Sequence, residues 1–168
     1  MVSQIPKHLE FADTVQIFGV DIYERRTDVH LFQRRRWNLN APFLTAPFRR
    51  EAGTFHLINS RFLADGINEP RWIPLIKEYW ELLKPGGWLQ MAEAQWTFRS
   101  QSNVDLPALK VWSDAYFGVL RQMQKNPLIA SGMEHLMRFY SGFERVEKTV
   151  HQISIGEWRT GTSERYHT

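Results

Sequence analysis

Candidate residues follow directly on short strand-like stretches at four places in the chain: Asp21 after VQIFGV, Asn38 to Asn40 after RRRW, Asn59 to Arg61 after TFHLI, and Glu93 after WLQMA. A carboxylate offers two acceptor oxygens in one plane, so Asp21 suits the neighbouring hydroxyls of a single sugar ring. Asn38 accepts through an uncharged amide oxygen, and Arg61 can pair with a ligand carboxylate. Each has a local alternative. Asp21 and Asn38 are also ordinary turn formers, and Arg61 can form a surface pair with Asp65 or Glu69. The missing chemistry narrows the field further. The chain has no cysteine, which excludes disulfides, thiolate metal sites and cysteine nucleophiles. Its six histidines, at 8, 30, 56, 135, 151 and 167, show no paired ligand spacing, so no metal site is predicted.

Elements able to position these residues are readable from periodicity. Residues 15–22, VQIFGVDI, are mostly apolar and β-branched, as in a strand buried on both faces. A weaker strand is predicted within residues 29–40, closed by the turn signals Asn38, Asn40 and Pro42. Residues 54–63, TFHLINSRFL, read as a strand running into a loop. From Trp72, apolar residues recur every three or four positions to Leu83, which predicts an amphipathic helix stopped by Lys84-Pro85-Gly86-Gly87. A strand over residues 88–94 follows, then helices over 106–124 and 128–140, and a last strand over 146–155. Strands separated by helices predict an α/β fold, one layered sheet with helices on both faces. Ligands of such sheets gather beyond the carboxyl ends of the strands, where all four candidate positions lie.

The length of 168 residues suits a single domain. Its net charge of +3 is unevenly placed: residues 1–50 hold eight Lys or Arg against five acids, and residues 51–168 hold thirteen of each. Arg25-Arg26, Arg34-Arg35-Arg36 and Arg49-Arg50, with Phe32, Trp37 and Phe48 nearby, have the makings of a nucleic-acid footprint. No nucleic-acid module pattern accompanies them, so a solvated basic edge is the favoured reading. The amino terminus lacks the form of a secretory signal and no run approaches spanning length, so the chain is expected inside the cell, cytoplasmic or nuclear, without a membrane partner.

Taken in order, "GVDI", "GTFHLINSRFL", "WIPLIKEYWELLKPGGWLQMAEAQW" and "GFERV" resemble the class I S-adenosylmethionine-dependent methyltransferases. Within that group the chain is most similar to fungal secondary-metabolism methyltransferases and to methyltransferase-like regulators. The resemblance covers about residues 15 to 158. It implies an incomplete Rossmann-like methyltransferase sheet, with S-adenosylmethionine as cofactor and a small-molecule methyl acceptor as partner. Asp21 would hold the cofactor's ribose, Asn38 and Leu39 its adenine, and Ser60 and Arg61 its methionine end. Glu93 would lie near the substrate mouth, where positioning of a nucleophile suffices for methyl transfer, so no catalytic acid or base is assigned. His56 stands where relatives usually have Asp. The family's first strand and glycine-rich loop have no counterpart: only fourteen residues precede Val15, and none is glycine. The resemblance therefore implies a single partial methyltransferase domain over 1–168, as an enzyme or as a non-catalytic module that binds a protein partner.

Overall fold

The computed structural model describes residues 15–23, 32–43, 48–100 and 104–155. Among these residues, four parallel-paired strands and three helices form an α/β arrangement: β1 (Ile17–Asp21), β2 (Phe32–Arg36), β3 (Phe55–Arg61), α1 (Trp72–Leu82), β4 (Leu83–Ala92), α2 (Pro107–Gln122) and α3 (Ile129–Tyr140). A 3-10 turn, Glu69–Arg71, with Pro70 inside it, leads into α1. Pro70 supplies a fixed φ and lacks an N–H that a helix start would leave unpaired.

Helix α1 forms the centre of the core. Trp72, Leu75, Ile76, Tyr79 and Leu82 recur at helical spacing and are all buried. They pack with Phe43, Phe48, Ile67, Ile129 and Met133, and Ile58, Leu89 and Met91 of the sheet close over them. Beside this stripe Arg71 and Glu78, two helical turns apart, form a bidentate ion pair at 2.9 and 2.6 Å. Their side chains are only 8% and 13% exposed. Arg71 also donates to the carbonyls of Leu39 (2.8 Å) and Ala41 (3.1 Å), and Glu78 accepts the Phe43 N–H at 2.8 Å. One pair thus holds residues 39–43, after β2, against the helix.

The helix ends earlier than its sequence pattern predicts. The chain is already extended at Leu83, and β4 runs from there to Ala92. Lys84 to Gly87 is a bulge within the strand: Phe55 pairs with Leu83 and Leu57 with Trp88, so the register slips across the four residues. Gly86 has φ +75°, and a Cβ on Gly87 would stand 2.9 Å from the Lys84 carbonyl oxygen and 3.0 Å from that of Phe55. Both glycines are required there, one by its dihedral and one by close approach.

Three further expectations are corrected. The strands form two separate two-stranded parallel sheets, β1 with β2 and β3 with β4, so Asp21 does not share a ladder with Leu89. Side chains occupy the seam instead. Phe18 of β1 meets Phe55 of β3 at 5.6 Å and Phe48 at 6.4 Å, both edge to face. Nor is a strand formed over 146–155: Val146 is buried, but no ladder partner for this stretch exists among the described residues, and Val150, Ile153 and Ile155 are exposed. The helices do not cover both faces of the β3–β4 sheet either, since the cross-strand pair Leu57 and Trp88 is 57% and 66% exposed.

The basic edge is partly absorbed into the fold. The Arg35 guanidinium lies 4.8 Å from the Phe18 ring and 4.6 Å from the Phe48 ring, and bonds Glu51 at 2.6 Å. Arg36 donates to the Ile22 carbonyl at 3.1 Å. Arg25 and Arg26 lie outside the described residues. Among the described residues no helix is long and apolar enough to cross a membrane, and no group of three metal-ligating side chains occurs.

Removing one member of a buried ion pair strands the other. Arg71→Met or Glu78→Gln is expected to lower stability by about 3 kcal/mol. The double variant Arg71→Met/Glu78→Gln is expected to lose less than the sum of the single losses, as read by urea denaturation of the four proteins.

Candidate functional site

In a parallel sheet all carboxyl ends point one way, so the loops after β1 and β2 share one rim, and those after β3 and β4 another. Asp21 and Arg36 are register partners at the end of the first pair, and the Trp37 N–H donates to the Asp21 carbonyl at 2.9 Å. This sets Asn38 and Leu39 beside Asp21. The Asp21 carboxylate is exposed, and Oδ1 accepts the Tyr23 N–H at 3.0 Å, which closes a local turn. Oδ2 and the second lone pair of Oδ1 still suffice for two hydroxyl donors.

Asn38 is committed to its own turn. Its Oδ1 accepts from the Asn40 backbone N–H at 3.0 Å and the Asn40 side-chain amide at 3.3 Å. Leu39 is half-buried against the core cluster, and its carbonyl is held by Arg71. The residue that joins the two rims is Asn40. Its Nδ2 donates to the Gly66 carbonyl at 2.9 Å, and its Oδ1 accepts the Asn68 N–H at 2.8 Å. Sequence reasoning placed Asn40 in the turn without this role. A signal existed in the second asparagine of NLN, two positions on, which leaves one amide for the turn and one to reach outward.

Ser60 and Arg61 fall on opposite sides of β3, as neighbours in a strand must. Ser60 is buried, with the Tyr79 hydroxyl donating to its Oγ at 3.5 Å on the helix side. Burial pushes the Tyr79 hydroxyl up to about 12, the Ser60 hydrogen bond opposing it. Arg61 is exposed and bonds Asn59 Oδ1 at 3.0 Å through Nε, not Asp65 or Glu69. The two residues therefore do not line one wall. Arg61 and Asp21 are exposed, whereas the Ser60 hydroxyl is turned into the core.

After β3 the chain turns sharply at Phe62, whose φ of +54° is left-handed although it is not glycine. The following loop is tied from four directions. Glu93, just past β4, accepts the Leu63 and Ala64 N–H groups at 2.9 and 3.0 Å. Lys125 Nζ donates to the Gly66 carbonyl (2.7 Å) and to Asn68 Oδ1 (2.6 Å). Tyr116 of α2 donates to Asp65 at 2.6 Å, and Asn40 completes the set. Glu93 thus organises the loop at the rim. Desolvation raises its pKa, which its two backbone hydrogen bonds oppose and the nearby Asp65 charge reinforces. A depression of about 380 Å³ lies along the 3-10 turn and α1, lined by Asn40, Pro42, Asn68, Arg71, Pro74 and Glu78 among others. It includes none of Asp21, Asn38, Leu39, Ser60 or Arg61. His56 is exposed on β3.

Two proteins named secondary metabolism regulator LAE1, both from Hypocrea atroviridis, are similar to the chain. Each is 22% identical over 121 residues, which cover 71% of this chain and 34% of the relative. The chain therefore spans about a third of the length of the curated relatives it matches. No family model matches it, and no solved structure matches it.

A carboxylate whose folded pKa is raised binds more protons in the folded state than in the unfolded one, so stability falls as pH rises above its ordinary value of 4.5. The stability of the native chain minus that of Glu93→Gln is therefore expected to shrink between pH 4.5 and neutrality. Urea denaturation across that range measures it, and a difference that grows with pH would contradict the assignment.

Proposed function

We propose that the chain is a methyltransferase-like protein of fungal secondary metabolism that binds S-adenosylmethionine and acts on a small-molecule methyl acceptor. The observation carrying this reading is Asp21: an exposed carboxylate closing a parallel strand, beside the loop after its neighbour, with acceptor capacity left for a ribose. The motif order from GVDI to KPGGW supports it, as does the similarity to a secondary metabolism regulator.

When bound, the cofactor would supply a sulfonium-activated methyl group. The chain's part is then to hold and orient. Asp21 would fix the ribose, Asn38 and Leu39 would border the adenine, and Arg61 would face the amino-acid carboxylate. Glu93 shapes the rim through Leu63 and Ala64 and is not a proton carrier in this reading. Methyl transfer to a nucleophilic acceptor needs in-line approach more than acid or base, so the lack of a proton-relay constellation is compatible with it.

A second reading is a non-catalytic regulator that engages a protein partner. Two observations favour it: the relatives are named as regulators, and Ser60, expected at the methionine end, is spent in the core.

Calorimetric titration with S-adenosylmethionine and S-adenosylhomocysteine separates the two. The first reading expects saturable binding of both, with Asp21→Ala weakening it about tenfold or more through loss of hydrogen bonds to a charged group. Measurable affinity that Asp21→Ala leaves unchanged removes the assigned pocket. Complete absence of binding by a folded chain leaves the regulator.

A further inference from the structure

Beyond the two rims, α2 and the segment after β4 build an aromatic corner. Trp112 stacks on Tyr116 with ring centroids 5.1 Å apart and planes 10° from parallel. Trp96 meets Trp112 at 6.2 Å and 76°, and Phe98 meets it at 5.6 Å and 63°. Trp112 is thus the ring shared by three aromatic contacts, one stacked and two close to upright. Trp96 and Trp112 remain 43% and 45% exposed, which is unusual for side chains that give up so much apolar area to water.

The corner is also acidic. Tyr116, which stacks on Trp112, donates to Asp65, and the Asp65 charge acts on Glu93. Among the described residues neither carboxylate has an ion-pair partner. The cations of α2 are engaged elsewhere: Lys110 is paired with Asp114 at 2.7 Å, and Arg121 lies over Phe117 at 5.9 Å. Lys125 is held by the Gly66 carbonyl and Asn68 of the same loop. Ring faces carry negative potential and attract cations, most strongly over tryptophan. Two carboxylates against one lysine add to that field.

The hydrogen-bonding inventory selects among cations. Both oxygens of Glu93 already accept backbone N–H groups, and Asp65 Oδ1 accepts the Tyr116 hydroxyl. Lone pairs remain on both carboxylates, but a primary ammonium is strongly hydrated through three N–H donors, and ring faces replace that hydration poorly. A quaternary ammonium brings none and exposes methyl groups that fit against rings. We propose that this corner binds a quaternary ammonium group of a small organic cation, with Trp112 as its floor. The site shares no residue with the nucleoside pocket and stands whether or not that pocket binds.

The test uses the full chain without nucleoside, following the tryptophan indole N–H resonances by NMR. Trp112→Phe and Trp96→Phe identify the two signals. Choline is the probe, 3,3-dimethylbutan-1-ol is its neutral isostere and ethanolamine is its unmethylated counterpart. Choline is expected to shift the Trp96 and Trp112 signals saturably, with the isostere and ethanolamine each at least roughly fivefold weaker. Trp112→Ala is expected to abolish binding. Should that variant not fold, Trp112→Phe, which keeps a weaker ring, is expected to fold and bind less tightly. Asp65→Asn is expected to weaken choline roughly threefold. Equal binding of the neutral alcohol, tighter binding of ethanolamine, indifference to Asp65→Asn, or no saturable shift at all would each overturn the proposal. Failure of S-adenosylmethionine to bind would not.

Discussion

The ion pair between Arg71 and Glu78 is the constraint on which the rest of the structure depends. Taking two charges out of water is costly, and their mutual attraction offsets that only when the remaining donors and acceptors are also filled. Here they are filled by the backbone of the loop after β2: the Leu39 and Ala41 carbonyls on Arg71 and the Phe43 N–H on Glu78. The same groups would otherwise be unpaired at the edge of the core. The pair and the loop thus satisfy one another, and neither arrangement is stable alone. Because Phe43 follows in the same loop, the clamp also seats that ring against Tyr79 at 5.7 Å and Phe48 at 5.6 Å.

From this clamp the order propagates to both rims. Fixing Leu39 and Ala41 fixes Asn40 between them, and Asn40 reaches Gly66 and Asn68 in the loop after β3. That loop also receives Glu93, Lys125 and Tyr116. The two small sheets are therefore joined by aromatic packing at the seam and by side-chain hydrogen bonds at the rims, where a continuous sheet would use a backbone ladder. Arg35, held between the Phe18 and Phe48 rings and bonded to Glu51, adds a charged tie on the same seam. Side-chain ties are individually weak and depend on their neighbours, so the relative placement of Asp21 and Arg61 is set by a network of single contacts.

Local order was well marked in the sequence. The α1 stripe from Trp72 to Leu82, the strands within 15–22 and 54–63, and the helices within 106–124 and 128–140 all follow from periodicity, because side-chain spacing directly records which face is buried. The weak strand within 29–40 narrows to β2, whose arginines obscure the alternation. Long-range pairing left no such mark. That β1 and β3 lie in different sheets depends on the bulk of Phe18, Phe48 and Phe55 between them, and each ring alone reads as ordinary core. Residues 146–155 carry strand-like residues, but a strand requires a partner, and propensity does not supply one. Asp21 and Arg61, expected just past strand ends, are the last residues of β1 and β3. Ser60 was misread because the phase of β3 decides its face: Ile58 and Leu89 both turn toward α1, and Ser60, two residues on from Ile58, must follow.

Strand phase also bears on the choice between enzyme and regulator. Methyl transfer asks little of side-chain acidity, so the lack of an assigned proton carrier does not discriminate between them. What discriminates is the holding of a cofactor long enough and in one orientation. A sugar held at Asp21 and a carboxylate held at Arg61 belong to different sheets, linked through the Arg71–Glu78 clamp, Asn40 and the ring seam. An enzyme would need that link to be stiff, since small misplacement of a reacting group has a large effect on rate. A regulator would need only that the surface be presented, and exposed Leu57, Trp88, Val150 and Ile153 are surface of that kind. The stiffness of the seam, more than the identity of any one site residue, is therefore the physical quantity that separates the two functions.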